Sequence, residues 1–319
     1  MAYRKDKDGC WYYYYKKQIQ ARSLIQKDWF KENGYKQNDP LPKEFWDHVD
    51  EQLTDDRCAY WGIAIDGDGC ISSKGQDLVH IQLSAREPIQ FLADVYGASI
   101  AHITFPTEPT WKDGYRVSLM GVRCRHFVKK ICPYMIEKKH LALRIVNKYE
   151  PNYHPPKIPM NFMKDPGSLL THMNMVAASF DTEGSVGIRI HTSKYKSKTK
   201  GTRFYNIIKP WIHVTNTNLR FLRKIKKILE SKPFTFRPKI YKDMSKLIRR
   251  NGELCKQRYK LMIPSGQHRL FMKMFDPFLM IKEKRQGYRF DILAAIDKRF
   301  WPEKYYKKYP NQKPDGPKR

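Results

Sequence analysis

Two stretches, WGIAIDGDGC at 61–70 and VAASFDTEGSV at 176–186, constrain this chain more than anything else in it. Each is an apolar run of helical length that ends in acid-x-acid-Gly. The acids are Asp66 and Asp68 before Gly69, and Asp181 and Glu183 before Gly184. Small residues recur inside both runs: Gly62, Ala64 and Gly67 in one, Ala177, Ala178 and Ser179 in the other. That spacing lets two helix backbones approach closely, because no side chain holds them apart. Gly69 and Gly184 are expected at the helix ends, in the left-handed conformation glycine reaches most easily. A carboxylate there faces the negative end of the helix macrodipole, and four acids gathered by two packed helices would repel one another. A hard divalent cation with oxygen ligands resolves such repulsion. Asp-Gly is also a common turn pair, so a single copy says little; the shared ending of two copies is what informs.

The partner is indicated by charge. The chain has 319 residues, room for one large or two medium domains, and a formal net charge of +29. Such an excess implies a polyanion, nucleic acid being the commonest. No apolar run approaches the ~20 residues that span a bilayer, and the opening MAYRKDKDGC lacks a signal-peptide core, so an intracellular protein with no membrane partner is expected. Six scattered cysteines without a CxxC pair read as reduced thiols.

Residues 1–58 stand apart: eleven Lys/Arg balance eleven Asp/Glu, so the rest of the chain carries the whole excess. Trp11, Tyr15, Arg22, Ile25 and Trp29 recur at helical spacing before Gly34, and a second helix is expected after Pro42 through Phe45, Trp46 and Val49. The segment therefore reads as a helical, aromatic-rich extension packed on the main fold. Residues 59–150 form a first repeat, in the order helix, two strands, helix, two strands, helix. In LVHIQLS (78–84) Val79, Ile81 and Leu83 alternate with polar residues, as on a half-buried strand. Residues 151–168 hold five prolines and make a stiff linker. Residues 169–300 repeat the order: a helix over 169–182, strands over 185–192 and 205–215, a helix over 219–230, strands near 234–241 and 255–263, and closing helices over 267–275 and 285–297. PYMIEK (133–138) and PFLMIK (277–282) match in both repeats and support duplication. Residues 301–319 read as a basic, mobile tail.

From 187 to 260 there are 22 Lys/Arg against three acids. Solvated faces normally mix signs, so nearly pure positive charge on strands points to phosphate contact, and a two-stranded ribbon fits the DNA major groove. The candidate contacts are Arg189, Lys194, Lys196, Lys198, Arg203, Arg237, Lys239, Lys242 and Arg258.

The doubled motif, over 61–69 and 176–184, resembles the single-chain, two-repeat LAGLIDADG homing endonucleases, and the likeness covers roughly 58–300. It implies an α+β fold of two pseudo-symmetric αββαββα repeats, with antiparallel DNA-binding sheets packed on two central motif helices. It implies a monomer that cuts both strands of a long asymmetric DNA site with Mg2+, for which Mn2+ can substitute. In that family the second acid of each motif holds the catalytic metals, which carries over to Asp68 and Glu183; Glu in place of Asp keeps the charge. The family's lysine, five residues after a proline and near the attacking water, matches Lys138 and Lys282. Asn216 matches a polar position that orders solvent, and Ala85 stands at the equivalent place in repeat one. Two alternatives stay open: an intron RNA maturase on the same scaffold, since a basic surface does not distinguish RNA from DNA, and a catalytically inactive DNA-binding regulator, against which both intact acid pairs argue. No flanking segment resembles a protein-splicing domain, so an intein origin is not expected.

Overall fold

The computed structural model describes residues 2–5, 11–15, 19–24, 41–104, 113–160, 162, 164–197, 201–243 and 256–281; the side chains of 2–24, 188–197 and 201–209 lie outside that description. The chain divides into two compact units, Met1–Thr182 with Met280–Lys282, and Glu183–Leu279 with Glu283–Arg319. The division falls at the end of the second motif helix, not within the proline-rich segment 151–168, so nearly all of that helix belongs to the first unit.

In the first unit the N-terminal residues correct the expectation of a helical extension. Ala2–Lys5 (β1), Trp11–Tyr15 (β2) and Ile19–Leu24 (β3) are strands. They form an antiparallel meander, and β3 continues onto Ile100–Thr104 (β6). The reason lies in WYYYY: five aromatic residues in a row favour the pleated backbone, and this outweighs a sparse helical spacing. Ile25, Trp29 and Gly34 lie outside the described residues. The helix expected after Pro42 is present as Lys43–Gln52 (α1), with Phe45 and Val49 buried.

The motif helix Asp55–Asp68 (α2) is followed by Gly69–Ser72 (β4), Leu78–Leu83 (β5), Arg86–Tyr96 (α3), β6, Gly114–Met120 (β7) and Gly121–Ile131 (α4). A 3-10 turn at Cys132–Tyr134 and the helix Lys139–Val146 (α5) come next, so Pro133 breaks the helical stretch as its ring requires. The sheet runs β1-β2-β3-β6-β7-β5-β4. Along β5 burial alternates as the sequence predicts, with Val79, Ile81 and Leu83 under the helices. α2, α3 and α4 pack on β5, where Ile89, Leu92, Tyr96, Phe127 and Ile131 are buried. α3 stops at Gly97, whose φ of 54° is left-handed.

The second repeat has the same order. Pro166–Glu183 (α6) leads to Gly184–Ser197 (β8), Gly201–Asn216 (β9), Leu219–Glu230 (α7), Lys239–Lys242 (β10), Tyr259–Met262 (β11) and His268–Phe275 (α8). Both halves thus read αββαββα, the expected fold class. The sheet of the second unit runs β10-β11-β9-β8. β8 extends five residues beyond the expected 192, because IRIHTSKYKS keeps β-branched and aromatic residues in a ladder that pairs through Ser197 and Gly201. α7 begins where expected because the Asn218 carboxamide accepts from the amides of Arg220 (2.9 Å) and Phe221 (3.3 Å). Its apolar face, Phe221, Leu222, Ile225, Ile228 and Leu229, is buried. Phe234, Phe236, Phe271 and Phe275 form the aromatic centre of this unit, with Phe271 and Phe275 4.6 Å apart. The helix expected over 285–297 and the tail 301–319 lie outside the described residues. Among the described residues no helix is long and apolar enough to cross a membrane.

Candidate active site at the ends of the motif helices

The two acids of each motif have different surroundings. Asp66 is buried near the end of α2. Its carboxylate accepts backbone N–H bonds from Ile136, from Glu137 (3.1 Å) and from Lys138 (2.7 Å). Burial raises its pKa and these three amides oppose the rise. Asp181, buried at the matching place on α6, accepts from Met280 N (2.6 Å) and Ile281 N (3.3 Å). Counted from Pro133 and Pro277, these are the same amides, at the third and fourth residues beyond each proline. The first acid of each motif therefore grips the turn that follows the matching 3-10 segment, Cys132–Tyr134 in one repeat and Asp276–Phe278 in the other. This corrects the expectation of four mutually repelling acids, since two are taken up by backbone donors.

The second acids close the helices. Asp68 is the last residue of α2 and exposed; Glu183 is the last residue of α6 and half-buried. The glycines after them are not left-handed. Gly69 has φ −88° and ψ 169° and opens β4 directly; a Cβ there would lie 2.7 Å from Ile65 Cα, which is why glycine is needed. Gly184 likewise opens β8 and is not among the positive-φ glycines of the described residues. Gly62 also departs from expectation: a Cβ would lie 3.0 Å from Ile131 O and Tyr134 Cβ, so its smallness admits the 3-10 turn rather than the other motif helix. The two motif helices are instead joined by the Tyr60 hydroxyl, which donates to Asp181 Oδ2 at 2.8 Å.

Lys138 lies half-buried with its ammonium at the end of α2. Nζ donates to Ile65 O (2.8 Å), Asp66 O (2.7 Å), Gly67 O (3.4 Å) and Gly69 O (2.7 Å). The cation that the helix end calls for is thus supplied in part by the protein itself. Lys282 lies outside the described residues. Asn216 is buried at the end of β9, and its Oδ1 accepts from Asn218 N at 2.6 Å, shaping the entry to α7. Ala85 does not align with it: Ala85 directly precedes α3 as Asn218 directly precedes α7, so Ala85 and Asn218 correspond.

Of the basic candidates, Arg189, Lys194 and Lys196 are on β8 and Arg203 on β9, while Lys198 lies outside the described residues. Arg237, Lys239 and Lys242 are exposed at and before β10. Arg258 is committed to Asp243, its Nη2 2.9 Å from Oδ2. One face of this sheet was missed in the sequence. Trp211, His213, Lys239, Tyr241 and Lys260 line a groove there, with Trp211 and His213 stacked at 4.7 Å. Gly187 pairs with Trp211 and leaves room for the indole, since a Cβ would lie 2.8 Å from its Cε2. Burial, and Lys260 after it, lower the His213 pKa to about 4, with Asp243 opposing, so the ring is neutral at pH 7. The signal was available in WIHVTN, 211–216, where Trp211, His213 and Thr215 alternate with apolar Ile212 and Val214.

No family model and no curated protein matches this sequence. Among solved structures the chain is similar to I-DmoI in complex with DNA and Mn, at 17% identity over 69% of this chain and 96% of that one, with a TM-score of 0.36. It is similar to the LAGLIDADG meganuclease I-CpaMI bound to uncleaved DNA, at 13% identity over 80% and 97% of the two chains, with a TM-score of 0.43. It is also similar to I-WcaI bound to its DNA recognition sequence, at 15% identity over 80% and 96%, with a TM-score of 0.38.

Proposed function

We propose that this protein is a LAGLIDADG-type, site-specific endonuclease that hydrolyses both strands of duplex DNA, acting as an intracellular monomer. One observation carries the reading: the same device is built twice. In each repeat the first acid, Asp66 or Asp181, is spent on the backbone amides beyond a proline, and the second, Asp68 or Glu183, is the carboxylate that closes the motif helix. Charge supports it, since residues 187–260, which include most of the strands of the second unit, hold 22 Lys/Arg against three acids in a chain of net charge +29.

The donor set fits a hard cation. Among the described residues no three His, Cys, Asp or Glu side chains gather into a cage, but Mg2+ typically takes one or two carboxylates and completes its shell with water and substrate phosphate. In each repeat the helix-terminal acid, Asp68 or Glu183, would hold such an ion, and Mn2+ would substitute. When bound, such an ion stabilises charge developing on the phosphate and favours hydroxide formation. The chain's own residues do the rest. Lys138 holds the end of α2 and places positive charge one residue from Asp68, and Lys282 serves the second repeat. Asn216 sets the turn into α7, and the basic strand residues bind phosphates.

The test is incubation with Mg2+ and a library of long duplexes, followed by sequencing of the ends. Recurrent paired breaks at one sequence, with short 3′ overhangs, are expected. A maturase or an inactive regulator would bind nucleic acid and leave every duplex intact.

A further inference from the structure

The two motif helices are not treated alike. Tyr60 lies six residues before Asp66 on α2, fully buried, and its hydroxyl crosses to Asp181 Oδ2 on α6. The matching position on α6, six residues before Asp181, is Met175, whose thioether has no proton to donate. Asp66 is held by three backbone amides. Among the described residues, Asp181 Oδ2 accepts from two backbone amides and from the phenol. From the Tyr60–Asp181 bond, which Met175 cannot reciprocate, we infer that Tyr60 is a positioning residue for the second motif: its hydroxyl ties the end of α6, and so the nearby Glu183, to the first motif helix.

The physical argument is one of rigidity. Asp181 sits two residues before Glu183 on one helix, so any movement of Asp181 about the helix axis moves Glu183 with it. Two amides on one turn locate the carboxylate relative to that turn alone. A donor on a separate helix adds a restraint those amides do not supply, and it is buried, where a hydrogen bond to a carboxylate is strong. The Tyr60 ring is itself held edge-on against Trp61, with centroids 5.5 Å apart, so the donor does not wander. Misplacement of a catalytic group by about 1 Å costs on the order of 100-fold in rate.

The inference rests on the endonuclease reading, and its test separates the two. Tyr60→Phe removes one oxygen and keeps the ring; thermal melting verifies that it folds, and Asp181→Asn serves as the second variant. Each DNA strand is end-labelled and cleavage followed in a single turnover. Expected is a loss of roughly tenfold or more on one strand, the other changing little, so that nicked duplex accumulates. A variant that merely destabilised the protein would slow both strands together. Amide hydrogen exchange is followed in parallel without DNA: Met280 and Ile281 should exchange faster in Tyr60→Phe, while Ile136, Glu137 and Lys138 should not change. Equal slowing of both strands, or unchanged exchange at Met280 and Ile281, overturns the inference. A wild-type protein that cuts no duplex but shows the exchange pattern sinks the endonuclease reading and leaves the tie between Tyr60 and Asp181 standing.

Discussion

Asp66 and Asp68 are two residues apart and do opposite things, one buried and saturated by amides, the other exposed at the helix end. Substitution should separate them. Asp68→Asn and Glu183→Gln keep shape and remove charge, so cleavage should fall at least 100-fold, while DNA binding, measured by mobility shift with Ca2+, holds or tightens as carboxylate–phosphate repulsion is relieved. Asp66→Ala should instead unfold the protein more easily, by about 2–4 kcal/mol in a denaturant titration, because three buried amides lose their acceptor. Lys138→Met should cost about 1–3 kcal/mol by the same measurement, since four carbonyls at the end of α2 lose a charged donor. His213 adds a pH signature. Its folded pKa of about 4 lies below the unfolded value near 6.5. The stability it contributes is therefore fully present above about pH 6.5 and is lost as pH falls toward 4. His213→Gln should flatten that part of the stability curve.

Elements show what the sequence could and could not reveal. The Leu219–Glu230 helix was legible to the residue, because Asn218 caps it and the apolar spacing is regular. The paired segments PYMIEK and PFLMIK were legible as a repeat, but not their purpose: the carboxylates that grip them lie 70–72 and 99–100 residues away in the chain, and no local spacing encodes a distant acceptor. In WYYYY the strand preference of consecutive aromatics outweighs the sparse helical spacing of Trp11, Tyr15 and Arg22. A glycine after a helix suggests a left-handed cap, whereas Gly69 and Gly184 start strands at once. Gly187 offers a test on the β8–β9 hairpin. Gly187→Val should push the indole of Trp211 aside, seen as a shift in tryptophan fluorescence, and weaken DNA binding through the groove.

At the scale of the molecule the excess charge governs how the protein meets its partner. With +29 on the chain, binding should release many counterions, so log K should fall steeply with log salt. Neutralising Lys239 and Lys242 should make that slope shallower, whereas neutralising an equal number of lysines within 1–58 should change it little, because acids balance them there. A flat slope in the intact protein would point to another kind of partner. The return of Met280–Lys282 to the first unit, after the chain has completed most of the second, has a consequence for synthesis. A ribosome makes α6 long before it makes the amides that Asp181 needs. Until about a hundred further residues have emerged, that carboxylate can find Tyr60 but neither the Met280 nor the Ile281 amide. The first unit therefore closes last at the place where the second motif must be held, and a nascent chain arrested before Met280 would carry an unfinished second motif, however well its sheet had formed.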